Sequence, residues 1–180
     1  MGTKRMYEIA FVGLKPGEHE FEYELKGLFF KEKGLEEESK INANVKLTLD
    51  KNKGFMLLKF VTSGNAEVLC DRCGNGITVQ LWDEFNVVVK LIANPDEMNE
   101  QETDPDVLYI SLSESHIDVS DWLYEFVLLS IPTQHVCAND ENGESLCNKE
   151  VLQKLNEMRS KNEEHQANSI WKGLEKFKEN

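Results

Sequence analysis

Residues 45–61 read "VKLTLDKNKGFMLLKFV". Apolar Val45, Leu47 and Leu49 alternate with Lys46, Thr48 and Asp50, the period of a strand with one face in a core and the other in water. Asp50-Lys-Asn-Lys-Gly54 follows as a turn, and Phe55-Met-Leu-Leu-Lys-Phe-Val61 as a second strand. The stretch is a hairpin, and it commits the first half of the chain to an antiparallel sheet.

Upstream, Phe21, Tyr23 and Leu25 alternate with glutamates and add another strand. Between it and the hairpin, residues 27–34 are short and bracketed by glycines, which suits a helical turn. Downstream, after Ser63-Gly-Asn65, residues 66–69 read as a further strand leading into Cys70. Residues 77–92, rich in valine and aromatics, read as a long one, and Asn75-Gly76 is the tight-turn dipeptide between them. Residues 94–106 carry six acids, two prolines and no basic residue. Such a segment buries little, and a mobile acidic loop is expected.

The period changes at Ile117-Asp-Val-Ser-Asp-Trp-Leu-Tyr-Glu-Phe-Val-Leu-Leu-Ser-Ile131. Asp118 is placed to cap a helix over 118–131, Ile117 to staple onto Trp122, and Pro132 to end it. Trp122, Leu123, Phe126, Val127, Leu128, Leu129 and Ile131 cover so much of its circumference that burial on most sides is expected. A second helix, about 149–161, aligns Val151, Leu152, Leu155 and Met158. The end, Asn168-Ser-Ile-Trp-Lys-Gly-Leu-Glu-Lys-Phe-Lys178, is a short amphipathic piece on a polar tether. The expected architecture is α+β: a curved antiparallel β-sheet, partly barrel-like, from the first 112 residues, with a buried helix at about 118–131. Residues 1–148 form the main domain and residues 149–180 a helical C-terminal extension.

The 180 residues, 40% of them hydrophobic, suffice for one sizeable core. No apolar run has the length of a signal peptide or a membrane span, so a soluble cytoplasmic protein is expected. The formal net charge is −13. Residues 1–148 hold 13 Lys/Arg against 27 Asp/Glu, and residues 149–180 hold seven against six. Unaided nucleic-acid binders present basic faces, so direct binding to DNA is excluded and contact with RNA is expected to be indirect. An acidic body suits a basic protein partner; ordinary solubilising surface charge accounts for it equally.

The candidate chemistry lies in the cysteines. Cys70-Asp-Arg-Cys73-Gly is half of a metal knuckle, with Gly74 letting the backbone fold under the sulfurs. Cys137 and Cys147 are the candidate second half despite nine intervening residues, with His135 as a substitute ligand. Structural zinc, reduced unliganded thiols, and a disulfide or redox pair are the three readings. The redox reading is the weakest, because the pair is followed by a glycine turn and a strand rather than a helix N-terminus.

Taken in order, Cys70, Arg72 and Cys73, then Ile117, Asp118 and Val119, then Leu128, Leu129, Ile131, Pro132 and Cys137 resemble the YceD family of bacterial ribosome-biogenesis proteins. So does the ending, with Trp171, Leu174 and Lys176. The resemblance runs from about residue 65 to the end. The most zinc-like members carry a second Cys-x-x-Cys, where this chain has Cys147 alone. The resemblance implies a non-enzymatic role in accumulation or maturation of large-subunit (23S) ribosomal RNA. Its partner would be a large-subunit ribosomal protein or a pre-ribosomal particle, and Arg72, Trp171, Leu174 and Lys176 are candidate contacts. An RNA-processing or thiol-dependent enzyme and a metal-free interaction scaffold are the competing readings.

Overall fold

The computed structural model describes residues 6–35 and 40–166, and the chain divides into two compact units. The first comprises Met1–Glu67 and Thr78–Thr133; the second comprises Val68–Ile77 and Gln134–Asn180.

The first unit is built on an open five-stranded sheet of order β2-β3-β4-β5-β6, formed by β2 (Gly17–Leu25), β3 (Ile41–Lys51), β4 (Phe55–Leu69), β5 (Gly76–Ile92) and β6 (Val107–Ser111). The expected hairpin is present: Leu47 faces Phe60, Leu49 faces Leu58, and both pairs are buried. β2 joins antiparallel on the other side, Tyr23 opposite Val45, with Glu18, Glu20, Glu22 and Glu24 all turned to water. The α+β class holds.

The antiparallel expectation fails at one edge, because β6 pairs parallel with β5. A parallel pair needs a crossover, and the acidic stretch supplies it. Instead of a loop, Pro95–Gln101 forms α2, with Pro95 at its start and Asp96 and Glu97 in its first turn, where the helix dipole favours negative charge. Asn99 then bonds both main-chain groups of Tyr109, accepting from its N–H at 2.8 Å and donating to its carbonyl at 2.9 Å. The Tyr109 hydroxyl donates to Glu102 at 2.9 Å. The Asp104 N–H, that hydroxyl and the Thr103 N–H together lower the Glu102 carboxyl below its ordinary pKa. Composition concealed these contacts, which use the polar groups as partners rather than as solvent-facing charge.

Residues 66–69 are not a separate strand: β4 runs unbroken through Ser63-Gly-Asn65. Gly64 makes this continuity feasible. Its φ is +147°, and a Cβ there would stand 2.1 Å from the Asn42 carbonyl oxygen of β3.

The short β1 (Glu8–Ile9) pairs antiparallel with β7 (Ile117–Asp118), which corrects the start of the next helix. Ile117 faces Ile9 in this pair rather than opening a helix, and α3 spans Ser120–Leu129. Asp118 still accepts from the Ser120 N–H at 2.8 Å, but from a strand position, and Val119 is the residue at the helix boundary. Leu123, Phe126 and Val127 are buried, with Phe126 stacked on Phe85 at 4.4 Å and set edge-on to Phe60 at 5.0 Å. Leu129 is 64% exposed and Trp122 half-buried, so the helix is covered on one side only. A short helix, α1 (Gly27–Glu32), occupies the expected turn and buries Phe29 and Phe30.

Lys51, at the end of β3, ties a 3-10 turn at Phe11–Gly13 to the sheet. Its Nζ donates to the carbonyls of Phe11 at 2.7 Å and Leu14 at 2.8 Å. Lys51→Met keeps the stem and removes these donors, so a loss of about 1–3 kcal/mol is expected in urea unfolding. Gly64→Ala meets both an unfavourable φ and the Asn42 carbonyl, and a loss of about 2–4 kcal/mol in the same assay is expected.

Candidate metal centre

All four cysteines belong to the second unit. Cys70 opens a tight loop in which its N–H donates to the Asn75 carbonyl at 2.7 Å and the Gly74 N–H donates back to the Cys70 carbonyl at 2.9 Å. Gly74 sits at φ +71°, the left-handed region that favours glycine. The turn thus centres on residues 71–74, and Asn75-Gly76 is not its tip: Asn75 closes the loop and Gly76 begins β5.

The nine residues between Cys137 and Cys147 form a miniature hairpin. Leu146 N–H donates to the Ala138 carbonyl at 3.0 Å, Asn139 bridges Ser145, and Asp140 N–H donates to the Glu144 carbonyl at 2.7 Å. Asp140 Oδ1 holds the tip by accepting from the N–H groups of Asn142 at 2.9 Å and Glu144 at 2.8 Å. The ends of a hairpin are neighbours, so a wide sequence spacing becomes a close pair in space. Immediately after Cys147, Asn148 Oδ1 accepts from the Glu150 N–H at 3.0 Å and starts α4 (Lys149–Gln166).

Two residues clamp the loops together. Asp71 and His135 bond reciprocally: the Asp71 N–H donates to the His135 carbonyl and the His135 N–H to the Asp71 side-chain Oδ2, each at 2.8 Å. The His135 ring is also engaged, its Nδ1 lying 2.9 Å from the Leu69 carbonyl and 3.1 Å from Asp71 Oδ1. His135 is therefore a positioning residue rather than part of the donor set.

The four sulfurs lie within 4.8 Å of one another and form, among the described residues, a cluster that could hold a metal ion. Cys70 Sγ is 3.7 Å from Cys147 Sγ, and Cys73 Sγ is 3.6 Å from Cys137 Sγ. A disulfide would need about 2.05 Å. Four thiolates at about 2.3 Å from a tetrahedral ion stand about 3.8 Å apart, which these separations match. The residues present fit a four-sulfur metal centre, and each sulfur of the Cys-x-x-Cys pair has its near neighbour in the other loop.

The electrostatics agree. Burial raises the Cys70 thiol, but the N–H groups of Arg72, Cys137 and Cys73 outweigh it and bring the pKa down to about 6. The Asn148 and Asn75 N–H groups lower Cys73 as well. Cys137 is pushed up to about 12 by burial and by Cys70 and Cys73 beside it. Main-chain dipoles thus favour the Cys70 and Cys73 thiolates, while burial and the neighbouring sulfurs disfavour that of Cys137.

Around the sulfurs pack Ile77, Val151 and Leu152. Leu155 and Met158, expected on the same apolar stripe, are 45% and 62% exposed. Arg72 is exposed at the loop tip; Trp171, Leu174 and Lys176 lie outside the described residues. Sequence reading missed the Asp71–His135 clamp, for which no local signal exists. It also missed the Asn148 cap, which Asn directly before Lys149-Glu150-Val151 could have signalled.

Comparison with curated proteins and with solved structures finds no match. The family model described as large ribosomal RNA subunit accumulation protein YceD spans residues 58–178, the four cysteines included, and the chain belongs to that family.

Proposed function

We propose that this protein is a non-enzymatic, cytoplasmic ribosome-assembly factor that supports accumulation or maturation of 23S ribosomal RNA by binding a basic large-subunit ribosomal protein or a pre-ribosomal particle. Cys70, Cys73, Cys137 and Cys147 would hold a structural zinc ion. The family's printed description supports involvement with large-subunit RNA. The observation that carries the zinc reading is the cluster of four cysteine sulfurs within 4.8 Å of one another, since a full set of four protein ligands is the signature of a structural rather than a catalytic site. When bound, the ion supplies a cross-link between the two cysteine loops. The protein's own residues do the rest: Asp71 and His135 fix the loops' register, Gly74 turns one loop, and main-chain N–H groups stabilise the thiolates.

Charge supports a protein partner. The second unit holds eight Lys/Arg against ten Asp/Glu, leaving twelve against 23 in the first. The acid is thus concentrated in the unit with the five-stranded sheet, and RNA contact would be indirect. Among the described residues no helix is long and apolar enough to cross a membrane. Arg72, Trp171, Leu174 and Lys176 remain candidate contacts on the other unit.

Metal analysis of protein purified without chelator or added zinc should give about one zinc per chain. Its removal, or Cys70→Ser with Cys73→Ser, should abolish amide-exchange protection at residues 70–77 and 135–152, with the sheet of the first unit still protected. A metal-free protein with those loops protected would favour a scaffold without zinc. An intact fold with lost turnover on an RNA substrate would favour an enzyme.

Co-sedimentation with large-subunit components should weaken about tenfold between about 50 and 200 mM salt, as expected for an acidic surface meeting a basic one. A flat response would remove the charge argument.

A further inference from the structure

One face of the five-stranded sheet in the first unit is covered by α3, whose Phe126 meets Phe60 and Phe85. The opposite face can be followed across the strands by register. Glu18 stands beside Asp50 and Asp50 beside Leu57; Glu22 stands beside Lys46 and Lys46 beside Val61. Lys59, between Leu57 and Val61 on the same side of β4, pairs with Glu84 of β5 at 2.7 Å, and Trp82 lies two residues from Glu84 on that side. This face is therefore acidic along β2 and β3 and apolar along β4 and β5.

Trp82 is 71% exposed, Leu57 42% and Phe55 37%. A single exposed leucine is ordinary, but a tryptophan left in water on the same uncovered face as two more large apolar side chains marks a contact surface. Between the acidic and apolar parts runs a depression of about 530 Å³, with Glu22, Glu24 and Lys46 on one side and Val61 and Ser63 on the other. A group entering it meets carboxylate and aliphatic surface together.

Charge selects the occupant. β2 and β3 put Glu18, Glu20, Glu22, Glu24 and Asp50 on this face against the ammonium of Lys46, which already pairs with Glu20 at 2.7 Å. A second copy of the chain would set these carboxylates against their own counterparts or against its apolar strip, and a nucleic acid would bring phosphates, so both are disfavoured. We propose that this face receives an amphipathic helix of a basic protein partner, its apolar side seated on Trp82, Leu57 and Val61 and its lysines and arginines over Glu18, Glu22 and Glu24. The proposal rests on the assembly-factor reading for the class of partner and on the face alone for the chemistry. Paired strands lie about 4.8 Å apart, so β2 stands about 10 Å from β4 and about 14 Å from β5. A helix with its side chains is about 10–12 Å across, so one helix laid along the strands reaches both parts, whereas an extended segment in the same direction would cover only one.

The test is a titration of ¹⁵N-labelled full-length protein at low salt with a helical peptide of about 18 residues built from alanine, leucine and lysine, the leucines along one side and the lysines along its flank. A scrambled peptide of the same composition and a glutamate-for-lysine peptide are the comparisons. The basic helical peptide should give saturable shifts at residues 18, 22, 24, 57, 61 and 82. Binding should be at least about fivefold weaker for the scrambled peptide and absent for the acidic one. Trp82→Ser should weaken binding about tenfold or more, and Glu22→Gln with Glu24→Gln about fivefold or more. Leu28→Ser, which removes a comparably exposed apolar side chain from α1, should leave affinity within about twofold. All these positions are exposed, so the substitutions leave the core intact.

Shifts spread over other elements, or equal losses from Leu28→Ser and Trp82→Ser, would reduce the effect to diffuse attraction and overturn the face as a site. A concentration-dependent dimer in sedimentation equilibrium that Trp82→Ser dissolves would give the face to a second copy and overturn the basic helix. Peptide binding at this face by protein that does not co-sediment with large-subunit components would support the face and count against the assembly-factor reading. Undiminished co-sedimentation of the Leu57→Ser, Trp82→Ser double variant would remove the face as the contact.

Discussion

Four cysteine sulfurs within 4.8 Å of one another, each shut away from water, are the constraint on which the second unit depends. Its core consists of these four residues with Ile77, Val151 and Leu152 packed around them. Three half-buried aliphatic side chains cannot offset the entropy of ordering two irregular loops and the start of a helix. Small units with so little apolar burial need a covalent or metal staple. The sulfur separations suit the proposed metal and not a disulfide, and the Asp71–His135 clamp joins the two loops that carry the sulfurs.

The first unit is stabilised in the ordinary way, and the contrast is instructive. Leu47, Leu49, Leu58 and Phe60 lie under the hairpin with almost no exposure, and α3 adds Leu123, Phe126 and Val127. Here the polar residues are spent on details of connection. Lys51 gathers the carbonyls of a 3-10 turn, and Asn99 fastens α2 to β6. Removal of the proposed zinc should therefore be felt unevenly along the chain, because only one unit lacks a hydrophobic alternative.

The same contrast explains what was legible in the sequence. Strand alternation is a local, periodic signal set by side-chain burial, and β2, β3 and the hairpin with β4 were read from it directly. The cysteine set was legible by residue type, since thiols in a Cys-x-x-Cys knuckle carry their chemistry with them. The signals that failed were those in which a polar residue has a distant partner. Asp118 looks like a helix cap because the Ile9–Ile117 pairing that makes it a strand residue lies more than a hundred residues away. Residues 94–106 look like solvent-facing acid because the partners of Asn99 and Glu102 are on Tyr109. His135 looks like a ligand because the carboxylate and carbonyl that occupy its ring come from the opposite loop.

Charge compensation at the sulfurs gives those loops their irregular form. Four thiolates around a divalent ion would carry a net charge of about −2 inside a low-dielectric pocket, a cost that must be met locally. Arg72, the cationic residue inside the Cys-x-x-Cys loop, is exposed. Compensation falls to main-chain N–H groups: those of Arg72, Cys73 and Cys137 on Cys70, and those of Asn75 and Asn148 on Cys73. Aiming that many amides at two atoms requires backbone that is neither helix nor strand, and this is what the Gly74 turn and the Asn148 cap provide. The loops are specified by where their amides point, and the side chains of Asp71, His135, Asp140 and Asn148 hold them there.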